Sequence, residues 1–256
     1  VIALKSPAEL AAMRRACRVA ARALAAVAAA VQPGVTTREL DRIAEDSIRA
    51  QGAVPSFLGY RGYPASLCVS VDDEVVHGIP GRRRLREGQI VSLDLGALVD
   101  GFHGDIAVTV PVGTVSPELM ALVRVTAEAL ERGIRAVRPG RHLEEVSAAI
   151  QRYVEKHGYS VVRDFAGHGV GRALHEDPQV PNFVERRNGG RVLLRPGMTL
   201  AIEPMVNMGT PEVVVDPDGW TVRTKDGKPS AHFEHTVAVT EDGVEVLTRL
   251  PEDVPV

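Results

Sequence analysis

The sequence predicts an α+β domain built from two related halves, and three observations predict it. Helical periodicity falls in two pairs of segments, near 6–51 and near 117–157, with strand-like alternation between and after them. A Pro-Gly turn leading into a helix occurs at Val31-Gln32-Pro33-Gly34 and returns at Val137-Arg138-Pro139-Gly140, 106 residues on (137 against 31). Strands preceded by Arg86-Glu87-Gly88 and by Arg195-Pro196-Gly197 end in Asp94 and Glu203, an offset of 109 (203 against 94). Two matches at nearly one offset give halves of approximately 1–125 and 126–256, with coincidence of Pro-Gly punctuation as the competing account.

The first helix covers about 6–31. Ser6-Pro7-Ala8-Glu9 is a capping box with proline at the first helical position. Leu10, Met13, Cys17, Ala20, Leu24, Val27 and Val31 recur at steps of three and four, and Pro33-Gly34 stops the helix. A second helix spans roughly 37–51. Residues 54–66, rich in glycine and proline, read as loop. Strands are expected at 67–71, 89–98 and 102–110, helices at about 117–137 and 143–157, and strands with loops from Tyr159 onward. No long Pro-, Gly- or Ser-rich linker divides the chain, so 1–256 reads as a single domain.

Composition narrows the class. At 256 residues and 45% hydrophobic the chain can bury a sizeable core without disulfides. Thirty basic and 33 acidic residues leave a net charge of −3, so no bulk positive field suggests general nucleic-acid binding. The longest apolar run, Ala23 to Val31, falls far short of the roughly 20 residues a membrane span needs. Cys17 and Cys68 form neither a CxxC nor a disulfide framework, and no secretory signal precedes the first helix. A cytoplasmic protein without membrane attachment is expected.

The chemistry lies on the strands, whose side chains alternate between two faces. In 90–96, Val91, Leu93 and Leu95 oppose Ser92, Asp94 and Gly96. In 103–109, Ile106 and Val108 oppose His103, Asp105, Ala107 and Thr109. In 199–203, Leu200 and Ile202 oppose Thr199, Ala201 and Glu203. In 232–239, Phe233, Val237 and Val239 oppose His232, Glu234, Thr236 and Ala238. Ile90 and His235 break the pattern. Four strands thus each set one carboxylate on a face of mostly small or polar residues. Asp100-Gly101 is a two-residue hairpin signal that pairs 99 with 102, 96 with 105 and 94 with 107. Asp94 then lies diagonal to Asp105, about 7–8 Å apart at the backbone. A solvated sheet face is the plain alternative, although Asp is disfavoured in strand interiors.

Converging carboxylates repel, and some keep protons unless a cation neutralises them. An oxygen-rich set with one imidazole suits Mn, Fe, Co or Zn. The candidate imidazole is His168 in Gly167-His168-Gly169-Val170-Gly171, whose flanking glycines let backbone approach a ligand closely. Arginine at 172 removes a GxGxxG reading, and the sequence holds no HExxH, GxSxG or P-loop.

Six segments, in order, resemble the type I methionine aminopeptidases: Val75-Val76-His77-Gly78-Ile79-Pro80, Asp100-Gly101-Phe102-His103-Gly104-Asp105, Gly167-His168-Gly169-Val170-Gly171, His175-Glu176-Asp177-Pro178-Gln179-Val180, Ile202-Glu203-Pro204-Met205 and Phe233-Glu234-His235-Thr236. The likeness runs from the first helix to about residue 249. It implies the pita-bread fold, with an inner antiparallel sheet, outer helices and a pseudo-twofold axis. It implies an enzyme that removes the initiator methionine from nascent proteins when the second residue is small. Asp94, Asp105, His168, Glu203 and Glu234 match five ligands of two divalent ions (Co, Mn, Fe or Zn), Asp105 and Glu234 bridging both. A hydroxide between the ions would attack the scissile carbonyl, with Glu203 shuttling the proton. His175 resembles the group that polarises the carbonyl oxygen, and His77 the residue near the scissile nitrogen.

Tyr60, Tyr63, Cys68 and Trp220 match methionine-pocket positions. Phe57 and Leu174 stand where better-known bacterial members have cysteine and phenylalanine, Arg61 where histidine is frequent, and Gly96 in place of a threonine. Cys68 has the plain alternative of a small buried hydrophobe, and Trp220 that of capping the Asp218-Gly219 turn. Arg82, Arg83, Arg84 and Arg86 form either a solvated loop or a salt-sensitive contact with ribosomal RNA. A monomer is expected. Two other readings compete: a pita-bread peptidase cleaving before proline, whose relatives carry a further N-terminal domain, and a binding protein of that fold lacking some ligands.

Overall fold

The computed structural model describes residues 1–184 and 192–250; the parts of the 1–256 domain expectation at 185–191 and 251–256 lie outside the described residues. Helix α1 (Pro7–Ala29) starts at Ser6, whose hydroxyl accepts the Glu9 amide at 3.3 Å while the Glu9 carboxylate accepts the Ser6 amide at 2.9 Å. Helix α2 (Thr37–Ala50) repeats the device with Thr36 and Glu39. Strands β1 (Val54–Pro55), β2 (Cys68–Val71), β3 (Glu74–Val76), β4 (Ile90–Val99) and β5 (Phe102–Pro111) follow. Helices α3 (Pro117–Ala136) and α4 (Glu144–Lys156) come next, α3 capped by the Ser116 hydroxyl. The chain continues through β6 (Ser160–Val161), β7 (Gly167–Gly169), β8 (Glu176–Val180), β9 (Thr199–Ile202) and β10 (Met205–Asn207). It closes with β11 (Val213–Val215), β12 (Val222–Thr224), β13 (Ser230–His232), β14 (Glu234–Val239) and β15 (Val244–Val246).

Seven strands run in the order β1-β4-β5-β14-β9-β7-β8, with β2 added on β4 and β15 on β14, to make a nine-stranded antiparallel sheet. Two three-stranded sheets, β13-β10-β6 and β11-β12-β3, complete the β structure of the described residues. The helix pairs bury two separate cores. Leu24, Leu40 and Ile48 of α1 and α2 pack on Val69, Leu93 and Leu95 of β2 and β4. Leu122, Ile134 and Ile150 of α3 and α4 pack on Leu200, Ile202 and Val237 of β9 and β14. Both helix pairs therefore cover apolar faces, leaving the opposite face of the central strands to carry the polar residues.

The expected elements differ from the observed ones mainly in the 54–66 segment. It holds β1, paired with Ala97 and Leu98 of β4, and a single 3-10 turn at Tyr60–Gly62. Proline is tolerated there because β1 lies at a sheet edge, and two residues are too few to display a period. The segment expected as one strand at 67–71 begins at Cys68 and is followed by a second strand, β3. No helix among the described residues is long and apolar enough to cross a membrane.

Candidate functional site

The hairpin register is the one the Asp100-Gly101 turn dictates: Val99 faces Phe102, Gly96 faces Asp105 and Asp94 faces Ala107. Strand β14 extends this register, with Glu234 opposite Ala107. Asp94, Ala107 and Glu234 thus form one row across β4, β5 and β14, with the small alanine between two carboxylates. A neighbouring row brings Asp105 and His168. The Asp105 amide donates to the Thr236 hydroxyl at 3.1 Å, Thr236 pairs with Ala201, and Ala201 pairs with His168. Glu203 follows directly after β9. Ligand atoms of Asp105, His168 and Glu234 lie within 4.8 Å of one another. Nε2 of His168 stands 3.5 Å from Glu203 and 3.9 Å from Asp105. The face is not solvated, since Asp105, His168 and Glu234 are all buried.

Nothing among the described residues neutralises this cluster. Asp94 Oδ1, Asp105 Oδ1 and Glu234 Oε1 are buried without a hydrogen-bond partner. Burial, with mutual repulsion, pushes the carboxyls of Asp94, Asp105 and Glu234 well above the usual range, and burial lifts Glu203 to about 8. Nδ1 of His168 donates to the Gly169 carbonyl at 2.8 Å, which leaves a lone pair on Nε2 facing carboxylate oxygens. Burial holds that imidazole down to about 4, hence uncharged at neutral pH. A lone pair and several orphaned carboxylate oxygens meeting at one point call for a cation, and an imidazole with its other nitrogen fixed by a carbonyl has the form of a metal ligand. The residues fit a divalent metal centre of mixed oxygen and nitrogen donors.

The cluster floors a cavity of about 130 Å³. His77 and His175 both line it. His77 has φ 61°, a conformation rare for a non-glycine residue, and sits edge-on to Phe165 and Trp220 with ring centroids 5.6 and 6.3 Å away. Burial holds its imidazole down to about 4. His175 stands at the mouth, its ring 4.1 Å from that of His168 and its Nδ1 2.9 Å from the Tyr60 hydroxyl. Partial desolvation, with His168 and the Arg61 guanidinium nearby, keeps it below the ordinary imidazole value.

An apolar cluster forms the remaining wall. Phe57, Tyr63, Cys68 and Leu174 are buried together, with Tyr60 and Trp220 packed against them. The Tyr63 hydroxyl points away to the carbonyls of Gly78 and Leu67, 2.9 and 3.2 Å off, so its ring serves the cavity. Asp218 accepts the amides of Trp220 and Thr221, both at 2.8 Å, so Trp220 closes a turn and lines the cavity as well. Every residue singled out as a ligand, catalytic group or pocket wall borders this one cavity, Arg61 included.

The structure revises three finer readings. Gly167 and Gly169 are glycines because neighbouring strands come too close: a Cβ would stand 2.3 Å from the Ala201 carbonyl oxygen and 2.2 Å from that of Asp177. The basic cluster is partly structural, as Arg83 pairs with Glu74 at 2.9 Å and Arg84 donates to the Gly34 carbonyl at 2.7 Å. His232, noted only as a member of the carboxylate face, is a neighbour of the site. It is buried, with Nε2 3.4 Å from Glu203. Its position two residues before Glu234 on an alternating strand was the available signal.

Residues 11–241 match the family model described as Metallopeptidase family M24. Methionine aminopeptidase 1 of Bacillus subtilis is 51% identical over 250 residues, covering 98% of this chain and all of that protein. The crystal structure of methionine aminopeptidase from Thermotoga maritima superposes with a TM-score of 0.95 at 47% identity, over 98% of this chain and all of that one. The Xaa-Pro dipeptidase of Bacillus anthracis superposes at 0.79 with 26% identity, but this chain covers only 63% of it.

Proposed function

We propose, for a chain that belongs to metallopeptidase family M24, the activity of its half-identical relatives: it is a metal-dependent aminopeptidase that removes the initiator methionine from proteins. The observation that carries this is the junction of a cation-seeking carboxylate cluster with an apolar cavity sized for one side chain. Identity of 51% to a methionine aminopeptidase, against 26% to an Xaa-Pro dipeptidase, favours it over cleavage before proline.

Asp94, Asp105, His168, Glu203 and Glu234 would hold two divalent ions of Mn, Fe, Co or Zn. Bound, such ions supply Lewis acidity and lower the pKa of nearby water. Glu203 would hold a proton at its carboxylate and pass it to the leaving amine. His175 presents an N–H to the carbonyl oxygen as negative charge develops on it. His77 contacts the scissile nitrogen. Phe57, Tyr60, Tyr63, Cys68, Leu174 and Trp220 take the methionine side chain, whose flexible thioether suits irregular apolar walls. The enzyme acts as a cytoplasmic monomer of one domain with repeat-related halves. Arg82 and Arg86, whose side chains have no partner among the described residues, are left for a salt-sensitive ribosomal contact, with Arg83 and Arg84 partly engaged.

Anaerobic assays of Met-Ala-Ser across a panel of divalent metals test the activity. Cleavage of Met-Ala and Met-Gly peptides is expected, with weaker cleavage of Leu-Ala, since an apolar pocket separates similar side chains by only about 1–3 kcal/mol. Met-Lys and acetyl-Met-Ala should be almost inert. Equal rates on Arg-Ala and Met-Ala would overturn the assignment.

A further inference from the structure

The two adjacent imidazoles of the site have different hydrogen-bond partners at Nδ1. His168 meets a carbonyl oxygen, which can only accept, so its Nδ1 carries the proton and its Nε2 bears a lone pair. His175 meets the Tyr60 hydroxyl at 2.9 Å, and a phenol can donate. The Tyr60 and His175 rings also stack, 5.2 Å apart and 19° from parallel, which fixes the imidazole plane. Tyr60 is itself held in a single 3-10 turn entered through Gly59 at φ 81°. Arg61, at φ 51°, sets its guanidinium carbon 5.3 Å over the Tyr60 ring. A cation over that ring withdraws charge from the phenol and makes its O–H a better donor. No second acceptor competes for the Tyr60 O–H among the described residues.

We infer that Tyr60 is a positioning residue: by donating its hydroxyl proton to Nδ1 of His175, it locks the tautomer in which Nε2–H points into the cavity. The pair of neighbouring histidines is then divided by tautomer. His168 offers a lone pair towards the carboxylates, and His175 offers a proton to an incoming carbonyl. An imidazole at the cavity mouth without this lock would populate both tautomers and swing about its side-chain bonds. Only the Nε2–H form could meet developing negative charge. The consequence for rate rests on the role given to His175 above; the tautomer itself does not.

The test uses the full chain, labelled with 15N-histidine and loaded with diamagnetic Zn2+, compared with Tyr60→Phe. Wild-type enzyme should show His175 with a non-protonated Nδ1 and a protonated Nε2. Tyr60→Phe keeps the ring and loses the O–H, so the His175 signals should move towards a mixture of tautomers. The kcat on Met-Ala-Ser should fall about three- to tenfold, the weight of one hydrogen bond, with KM little changed. Tyr60→Leu, which also removes the stacked ring, should raise KM as well. A protonated Nδ1 on His175 in the wild type, or identical His175 signals in Tyr60→Phe, would overturn the lock. A tautomer change with kcat unaltered would uphold the lock and overturn the carbonyl-facing role of His175.

Discussion

Glu203 sits between two imidazoles, 3.5 Å from Nε2 of His168 and 3.4 Å from Nε2 of His232. A carboxylate set between two imidazole nitrogens can take up and release a proton as charge changes nearby. Glu203→Gln is therefore expected to lower kcat by roughly 10²–10⁴, the range for general acid–base groups. Near-normal turnover at full metal occupancy would contradict that role. Asp105→Asn is expected to act on occupancy. Asp105 is 3% exposed and its Oδ1 is unpartnered, so the substitution removes charge where a cation has most need of it. Calorimetric titration should show affinity falling by more than the roughly 10–100-fold that loss of an outer hydrogen bond costs. His175→Ala should leave metal binding intact and raise the barrier by about 2.7–4 kcal/mol, as for loss of an oxyanion donor. Loss of metal in that variant would move His175 into the ligand set.

At the scale of elements, β4 and the loop after β1 are fitted to one another. A Cβ at Gly96 would stand 2.8 Å from Cβ of Ser56 and 3.1 Å from the Phe57 ring. Gly96 is thus kept small first by Ser56 and then by the Phe57 ring, and the second contact links two departures from the resembled pattern. Gly96→Thr should cost about 1–3 kcal/mol of stability in urea unfolding, the usual price of overpacking. Adding Phe57→Cys should recover part of that loss, with a coupling of about 0.5–3 kcal/mol. Strict additivity would show that the ring is not the obstacle. The contact of Phe57 with Gly96 is only half legible in sequence, because it joins a loop residue to a strand residue 39 positions on (96 against 57). The β4–β5 register was legible, since a two-residue Asp-Gly turn fixes it and alternation then places Asp94 and Asp105. The link from Tyr60 to His175 has no such signal; it depends on how a turn and the distant bend before β8 are brought together. The glycines around His168 were visible, but their reason was not, because close strand packing and close ligand approach leave the same residue behind.

Across the whole molecule, the centre couples stability to pH and metal. A carboxyl with a raised pKa keeps its proton after the unfolded chain has lost its own, so stability falls as pH climbs from the ordinary value to the raised one. For Glu203 that window runs from 4.5 to about 8. The buried histidines act in the opposite sense. Held down to about 4, His77 and His168 cost stability as pH drops from 6.5 through 4. Between about pH 7.5 and 8.5 the unfolded imidazoles are mostly neutral too, and the carboxyl slope dominates. Calorimetric scans of metal-stripped protein should therefore show Tm falling over that interval. Saturating divalent ion should raise Tm and abolish the decline. A flat Tm in the stripped protein would mean that the carboxyls ionise freely in the folded chain.

The pairing of β5 with β14 joins strands from far apart in the chain, through Ala107 with Glu234 and Ile106 with His235. The proposed ligands divide across that seam, Asp94 and Asp105 on one side, His168, Glu203 and Glu234 on the other. A polypeptide interrupted anywhere between Pro111 and Gly167 leaves each fragment with two or three of the five groups. Hydrolysis is then a property of the finished chain alone. A molecule still being synthesised cannot begin to trim others, and a proteolysed one has no active remnant unless its pieces find each other again.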